Sequence, residues 1–470
     1  MYSKDDTICA ISTPSGKGAI AVIRCSGSRA FEICEKIVQL NSGNNVISDL
    51  PANTMHYSIV YDGNEIIDQV VTGIFRKPHS YSGEDTVEIS CHGSPYIQKK
   101  ILELLVQSGA RMATPGEFTM RAFFNGKLDL TQVEAVADLI SSGSEAAHRI
   151  AINQMRGGFT REIKKLRNKL LNFTTLVELE LDFSEEDVEF ADRNALKSLI
   201  DEITGTLESL SDSFKQGNAI KQGIPVAIVG RTNAGKSTLL NLLLREEKAI
   251  VSEIEGTTRD SIEDVISIKG IHFRLIDTAG LRHTEDVVEQ MGIERTWQKI
   301  DQAMIIIQVL DIKSKDEEVK NVADRIRNSQ NGDIKKRILV LNKIDKISKE
   351  KQEEIIEEHK TRLNQGEMII PVSASHGTNL QLLEQALLDA AGYAESEEND
   401  VIITNVRHYE ALEKALSAMK RAKEGLINSV PGDLLAQDIR ETMHYLGEIT
   451  GEITTDEVLG NIFKNFCIGK

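Results

Sequence analysis

The sequence predicts a multidomain protein with an N-terminal α+β domain, a discontinuous helical domain and an α/β domain inserted into it. Three observations predict this. Residues 1–120 alternate short β-rich runs with turns. Residues 121–219 and 391–470 repeat apolar residues at three- and four-residue spacing, with no proline between positions 119 and 224. The block between them, 220–390, alternates strand and helix patterns, as a parallel sheet with covering helices requires. An insertion needs the inserted domain's two ends to lie close together.

Within the first domain, strands are expected at 7–11, 19–24, 66–75 and 85–91, and a helix at 96–107. Helices at 133–140 and 163–181 follow. The segment 178–189 holds seven acids and no base, and reads as a solvated helix end or loop. The α/β block opens on the apolar strand after Gly223, and the acidic segment from Ala394 links it back to helix through Glu448.

Composition narrows the function. The 470 residues carry 55 Lys+Arg against 72 Asp+Glu, a net charge of -17. A chain this acidic is no general polyanion binder, since phosphate contacts need Lys and Arg. With 5% aromatic residues and one Trp it is also no base-stacking platform. Five cysteines (Cys9, Cys25, Cys34, Cys91, Cys467) form no Cys-x-x-Cys pair, which argues against a disulfide framework and a structural zinc site. The start has no apolar signal segment and no apolar run approaches a bilayer span. The expectation is a reduced, cytoplasmic protein with no membrane contact.

Chemistry concentrates in the inserted block. Gly230-Arg-Thr-Asn-Ala-Gly-Lys236-Ser237 fits G-x-x-x-x-G-K-[ST] between an apolar strand and an apolar helix. Its glycines let main-chain N–H groups of residues such as Asn233, Ala234, Gly235 and Thr238 wrap phosphate oxygens at a helix N-terminus. Lys236 would reach the β- and γ-phosphates and Ser237 the Mg²⁺. Asp277-Thr278-Ala279-Gly280 ends a strand at 273–276; Asp277 suits Mg²⁺ through water and the Gly280 N–H suits the γ-phosphate. Asn342-Lys343-Ile-Asp345 ends a strand at 338–341, and the Asp345 carboxylate offers two acceptors that match guanine's N1–H and N2–H₂. Adenine has no such donor pair. Ser373-Ala374-Ser375 would close over the base. Four motifs in this order at strand ends imply a P-loop GTPase domain.

The hydrolytic water lacks its usual orienting group. Small regulatory GTPases place a Gln after Asp-x-x-Gly, and here that position is Leu281. Asn233 could help hold a monovalent cation beside the phosphates. The segment Ser252-Glu253-Ile254-Glu255-Gly256-Thr257-Thr258 could add carbonyls and the Thr257 oxygen, with Thr258 on Mg²⁺. A K⁺ there would stabilise developing charge as an arginine finger does. Glu285, Asp286 and Glu289 are each candidates to orient water.

Gly230-Arg-Thr-Asn-Ala-Gly-Lys-Ser, Gly256-Thr-Thr-Arg-Asp, Asp277-Thr-Ala-Gly-Leu-Arg and the terminal Phe466-Cys-Ile-Gly-Lys resemble the MnmE (TrmE) family of bacterial tRNA uridine-modification GTPases. Ser15-Gly-Lys-Gly, Ser82-Gly-Glu-Asp, Thr114-Pro-Gly-Glu-Phe-Thr-Met-Arg-Ala-Phe and Lys127-Leu-Asp-Leu extend the resemblance over the whole chain. It implies a K⁺-stimulated GTPase whose G domains dimerise, with Glu289 orienting water and K⁺ on Asn233, Ser252, Ile254 and Thr257. It implies an FAD-dependent partner, MnmG, forming a heterotetramer that adds an aminomethyl or carboxymethylaminomethyl group to C5 of a tRNA wobble uridine. It further implies a folate-binding-like N-terminal domain that takes 5-formyltetrahydrofolate or a related folate through Arg24, Glu88, Lys127 and Lys470. From residues alone, Arg24 and Glu88 read as ordinary strand-surface charges. Cys467 is a candidate thiol nucleophile or a plain tail cysteine. The domains expected are 1–120, 121–219, 220–390 and 391–470.

Two signals are set aside. Gly16-Lys-Gly-Ala-Ile-Ala matches a dinucleotide fingerprint, but a strand-like run follows it instead of a helix. His92 has no partner ligands at zinc spacing and reads as a turn or partly buried residue. A GTP-switched ribosome-assembly or RNA-associated module is the alternative function. It calls for a basic RNA-binding face, and nothing in the chain reads as strongly basic.

Overall fold

The computed structural model describes residues 6–41, 46–182, 193–247, 264–276, 300–313, 335–361, 363, 366–392, 401–428, 430–464, 466 and 468–469. They fall into two compact units, one of residues 1–137, 154–172 and 443–470, the other of 138–153 and 173–442.

The first unit is built on a seven-stranded sheet in the order β3-β4-β5-β6-β2-β1-β7. Its strands are β1 (Ile8–Ile11), β2 (Ile20–Ser26), β3 (Val38–Leu40), β4 (Thr54–Asp62), β5 (Glu65–Phe75), β6 (Thr86–His92) and β7 (Arg111–Met112). All neighbours run antiparallel except β1 and β7. Residues alternate faces along a strand, so Ile23, Val60, Val70, Ile74, Val87 and Ile89 point to one side. There they bury against Phe31 and Ile33 of α1 (Ala30–Glu35) and Ile101 and Leu105 of α2 (Pro95–Gln107). Arg24 and Glu88 are directly opposite in the β2–β6 register, on the other side.

Helices α3 (Glu117–Phe124) and α4 (Leu130–Ser141) follow, then α5 (Glu145–Met155) and α6 (Gly158–Asp182). Leu130, Val133 and Val136 of α4 form a second core with Leu459 and Phe463 of the helix Asp456–Lys464 and with Phe466 beyond it. Spacings of three and four place each set on one helical face.

In the second unit, α7 (Arg193–Gln222) buries Ile200, Ile203 and Leu207. Its partner, the helix Val406–Ile427, presents Ala411, Ala415, Ala418 and Ala422, whose small side chains allow close approach. Phe214 stacks on Tyr409 with centroids 4.5 Å apart. A Cβ on Gly217 of α7 would lie 2.2 Å from the Ile403 carbonyl oxygen, so the chain returns to α7 beside where it leaves.

What it leaves to form is a six-stranded sheet in the order β13-β12-β11-β8-β10-β9. These strands are β8 (Ile224–Val229), β9 (Asp264–Ile268), β10 (Ile271–Leu275), β11 (Ile305–Asp311), β12 (Lys336–Asn342) and β13 (Met368–Val372). Only β9 runs antiparallel to its neighbour. The central strands β8, β11 and β12 are mostly apolar and buried, as parallel strands covered on both faces are, with Gln308 and Arg337 as buried polar exceptions inside β11 and β12. Helices α8 (Lys236–Glu247) and Leu380–Ala390 lie on it.

Candidate functional site

The carboxyl ends of β8, β11, β12 and β13 converge on one edge of the sheet. The phosphate loop leaves β8 at Gly230, whose φ of +139° suits glycine, and a Cβ there would sit 2.2 Å from the Val309 carbonyl oxygen. The loop turns through left-handed Asn233 (φ +66°) and Gly235 (φ +98°) into α8. Lys236 Nζ donates to the carbonyls of Gly230 (2.6 Å) and Arg231 (2.7 Å), so the ammonium lies over its own loop. Ser237 is half-buried and Thr238 exposed, both on the first turn of α8.

Asn342 holds this edge together. It is buried, and its Nδ2 donates to the Ala234 carbonyl at 2.9 Å. Its Oδ1 accepts the N–H groups of Lys343 (2.8 Å) and Ala374 (3.0 Å). One amide thus ties the phosphate loop, the base loop and the Ser373-Ala374-Ser375 turn. Lys343 Nζ adds a second tie, donating to the Asn233 carbonyl at 2.5 Å and to Asp311 Oδ2 at 2.9 Å. Asp345 Oδ1 accepts from Ser373 Oγ at 2.6 Å, and that hydrogen bond holds the carboxyl below the usual carboxylate range. The group is therefore an anion at neutral pH, with the acceptor pair a guanine edge needs.

Two residues at this edge escaped the sequence reading. Asp311 ends β11, and although burial opposes its ionisation, Lys343 keeps it below the ordinary range. An acid closing an apolar strand between two nucleotide motifs was the available signal. His376 places Nδ1 3.0 Å from Ser373 Oγ, beside the Asp345 carboxylate. Ser252, Glu253, Ile254, Glu255, Gly256, Thr257, Thr258, Asp277, Thr278, Ala279, Gly280, Leu281, Glu285, Asp286 and Glu289 lie outside the described residues, as do Cys467 and Lys470.

The N-terminal unit carries a second constellation. Arg24 donates through Nε to Glu88 Oε1 at 2.9 Å, with Nη2 2.8 Å from the same oxygen. The guanidinium lies 5.2 Å from the Tyr81 ring centroid and 5.4 Å from that of Phe118, an aromatic seat that favours a cation. Its Nη1 is buried without a hydrogen-bond partner among the described residues. That corrects the reading of Arg24 and Glu88 as ordinary surface charges: one edge is paired, the other buried and unsatisfied, a state that costs free energy until an acceptor arrives. Tyr81 OH shares a hydrogen bond with Thr119 Oγ1 at 2.8 Å, and Asn125 Nδ2 donates to the Ser82 carbonyl at 2.9 Å. This loop has Gly83 at φ +79°, where a Cβ would meet Asn125 and the Lys127 side chain, so Lys127 lies over the same loop that seats Arg24. A carboxylate, an arginine with a spare donor and a lysine suit a ligand with an aminopyrimidinone head and carboxylates.

Beneath them runs a buried ionic chain. Arg121 is wholly buried and donates to Glu84 (3.0 Å), Glu117 (3.1 Å) and the Asp6 carbonyl (2.8 Å). Glu117 also takes two bonds from Arg111, at 2.6 and 2.9 Å, and one from the Thr114 N–H. Burial opposes the charge on Glu117, yet the Arg111, Thr114 and Arg121 donors hold its pKa down at about 2. The Ser82-Gly-Glu-Asp and Thr114-Pro-Gly-Glu segments are where this chain is anchored.

The C-terminal tail reaches the same unit. Ser12 Oγ donates to the Gly469 carbonyl at 3.0 Å, and a Cβ on Gly469 would lie 2.0 Å from the Ile11 carbonyl oxygen. Ile11 faces Ile23 in the register, one residue from Arg24. Cys9, Cys25, Cys34 and Cys91 are free and buried, and burial pushes Cys9 up to about 12 and Cys91 to about 11. The dinucleotide-like glycines lead into β2 and not into a helix. His92 corrects its reading: it is exposed at the end of β6, with Nδ1 2.7 Å from the buried Asp68. Among the described residues no His, Cys, Asp and Glu group could hold a metal ion, and no helix is long and apolar enough to cross a membrane.

Residues 7–127 match the family described as GTP-binding protein TrmE N-terminus, and residues 130–467 match the MnmE helical domain family. A Bacteroides thetaiotaomicron protein named tRNA modification GTPase MnmE is 52% identical over 465 residues, covering 99% of each chain. Namesakes from Parabacteroides distasonis (52% over 470 residues, 99% of this chain and 100% of that one) and Flavobacterium psychrophilum (51% over 468, 99% of each) are similar.

Proposed function

The chain belongs to the MnmE family of tRNA modification GTPases, and from that premise we propose that it is a K⁺-stimulated GTP hydrolase acting in wobble-uridine modification. With an FAD-dependent MnmG-type partner, in a heterotetramer built on its own homodimer, it adds an aminomethyl or carboxymethylaminomethyl group to uridine C5 of certain tRNAs. A tetrahydrofolate supplies the one-carbon unit. Its setting is the cytoplasm. The work divides among residues 1–120 for folate and dimerisation, 220–390 for GTP, and 121–219 with 391–470 as the helical frame.

The observation that carries the reading is the Asn342 junction, which fixes the Asp345 carboxylate relative to the phosphate loop. GTP phosphates lie against the main-chain N–H groups of 233–238, with Lys236 turned from its own carbonyls to phosphate oxygens. Ser237 and Thr258 would hold Mg²⁺, while Asn233, Ser252, Ile254 and Thr257 would hold K⁺. Both ions supply positive charge where phosphate charge develops. Glu289 orients water in place of the missing Gln. In the N-terminal unit Glu88 takes the pterin's aminopyrimidinone, and Arg24, Lys127 and Lys470 meet the remaining polar groups.

Asp345→Asn tests the base assignment. An amide offers one donor and one acceptor, so it mismatches guanine and matches xanthine, whose C2 carries oxygen. Turnover should move from GTP to xanthosine triphosphate; undiminished GTP turnover would place base recognition elsewhere.

A further inference from the structure

The net charge of -17 hides a local exception. Residues 154–172 carry six Lys or Arg (Arg156, Arg161, Lys164, Lys165, Arg167, Lys169) against one acid, Glu162. All belong to the N-terminal unit, and all but Arg156 lie on α6. Folding sorts this segment by face. Phe159, Ile163, Leu166 and Leu170 are buried, whereas Arg161, Lys164, Lys165 and Asn168 are exposed. The exposed four sit at i, i+3, i+4 and i+7, so they form one outward row.

The row differs from an ordinary solvated face. On the helix Val406–Ile427, cations meet acids: Arg421 pairs with Asp438 at 3.0 Å, Lys420 with Glu208 at 2.8 Å and Lys423 with Asp201 at 2.7 Å. On α6, Arg167 is half-buried and engaged with Glu452, which makes it structural. Among the described residues the ion pair of Lys165 is with Glu162, at 3.9 Å. No acid among the described residues pairs with Arg156, Arg161 or Lys164. Like charges three and four residues apart repel, an effect that a polyanion on this face would reverse.

The row is also held in place. Thr160 Oγ1 shares a 2.6 Å hydrogen bond with Thr131 Oγ1 of α4, and Gln132 Nε2 donates to the Met155 carbonyl at 2.9 Å. Arg161 Nη1 donates to the Arg156 carbonyl at 2.8 Å, which draws these two basic residues together. Asp129 caps the start of α4 through Thr131 and Gln132, two residues after Lys127. The basic row thus begins one capped turn from a loop given to the N-terminal pocket. A protein partner of stable affinity wants a buried apolar centre, and the outward positions from Arg161 to Asn168 carry none. A phosphate backbone asks only for exposed cations and amides.

We propose that the outward row of α6, Arg161, Lys164, Lys165 and Asn168 with adjacent Arg156, is a docking surface for the phosphate backbone of the tRNA. The proposal rests on the tRNA-modification reading above. Its contacts are to phosphates, so they position the RNA without reading its sequence.

The test uses the full-length chain with Arg161→Ala, Lys164→Ala and Lys165→Ala combined; alanine keeps the helix. Fluorescence anisotropy with a labelled tRNA transcript is followed across a KCl series. The expected result is at least ~10-fold weaker binding at low salt and a salt slope shallower by roughly 2, since each phosphate contact contributes about 0.7–0.9. GTP turnover and circular dichroism should match the parent chain. The charge-keeping set Arg161→Lys, Lys164→Arg and Lys165→Arg should bind as the parent does. Unchanged affinity and slope overturn the proposal, as does loss of the flavoprotein partner with tRNA binding intact, or no tRNA binding by the parent chain. None of these decides whether the protein modifies tRNA, because that is read from cellular nucleosides and not from this titration.

Discussion

Asn342 Nδ2 donates to the main-chain carbonyl of Ala234 at 2.9 Å, which ties the end of β12 to the loop that follows β8. The contact is close enough that a Cβ on Gly235 would sit 2.0 Å from that nitrogen. Asn342→Ala removes this tie and leaves buried N–H and C=O groups unpaired, at a cost of about 1–3 kcal/mol for each group left unsatisfied. GTP affinity should fall at least ~10-fold with a lower melting temperature. Titration with a fluorescent GDP analogue and a thermal melt check both. Wild-type affinity in this variant would show that the loops hold their geometry without it.

Arg24 and Glu88 should matter to folate and not to GTP. Arg24→Ala leaves the Glu88 carboxylate unpaired and removes the buried Nη1 donor, so 5-formyltetrahydrofolate affinity should drop at least ~10-fold, the scale of one lost charge-assisted contact. GTP turnover by the same variant should be near normal. Calorimetric titration reads the first and phosphate release the second. Intact folate binding would return Arg24 to a structural role beside Tyr81.

Acid should loosen the N-terminal unit through Glu117. Its pKa is lowered from an ordinary 4.5 to about 2. A depressed carboxyl contributes stability that is fully present above its unfolded value and is lost as pH falls through its folded value. The loss should therefore run from about pH 4.5 to about pH 2. Glu117→Gln should flatten that slope and, by breaking a buried pair, cost about 3 kcal/mol at neutral pH. Urea melts of the two proteins across that range decide it; parallel pH profiles would remove Glu117 as the cause.

Turnover should respond to the monovalent cation and to Glu289. GTP hydrolysis is expected to be several-fold faster in KCl than in NaCl, a difference of about 1 kcal/mol or more in barrier height. Glu289→Ala should abolish turnover and leave GTP affinity near normal. Equal rates in the two salts would remove the cation mechanism, and lost binding would make Glu289 structural.

Much of this was legible in the sequence, because motifs at strand ends and periodic apolar positions are local signals. Strand β6 falls within one residue of its expected 85–91, and α2 on its expected start within one residue. Strand β4 was missed: Met55, Tyr57 and Ile59 point away from the core, so apolar residues fall on both faces and blur the alternation. The aromatic seat of Arg24 was invisible because Tyr81 and Phe118 are far away in sequence and meet it only through folding. Arg121 reads as a surface helix cation until Glu84 and Glu117 close around it. Asp311 shows its purpose only when β11 sets it beside Lys343. The basic row on α6 was lost in whole-chain charge arithmetic, since the chain's 72 acids mask six cations in one short segment.

Nucleoside analysis of bulk tRNA from a strain lacking this protein tests the proposed function most directly. Wobble-uridine C5 modification should disappear, return with the intact gene, and stay absent with Glu289→Ala. Unchanged C5 modification in the deletion strain would contradict the proposed function.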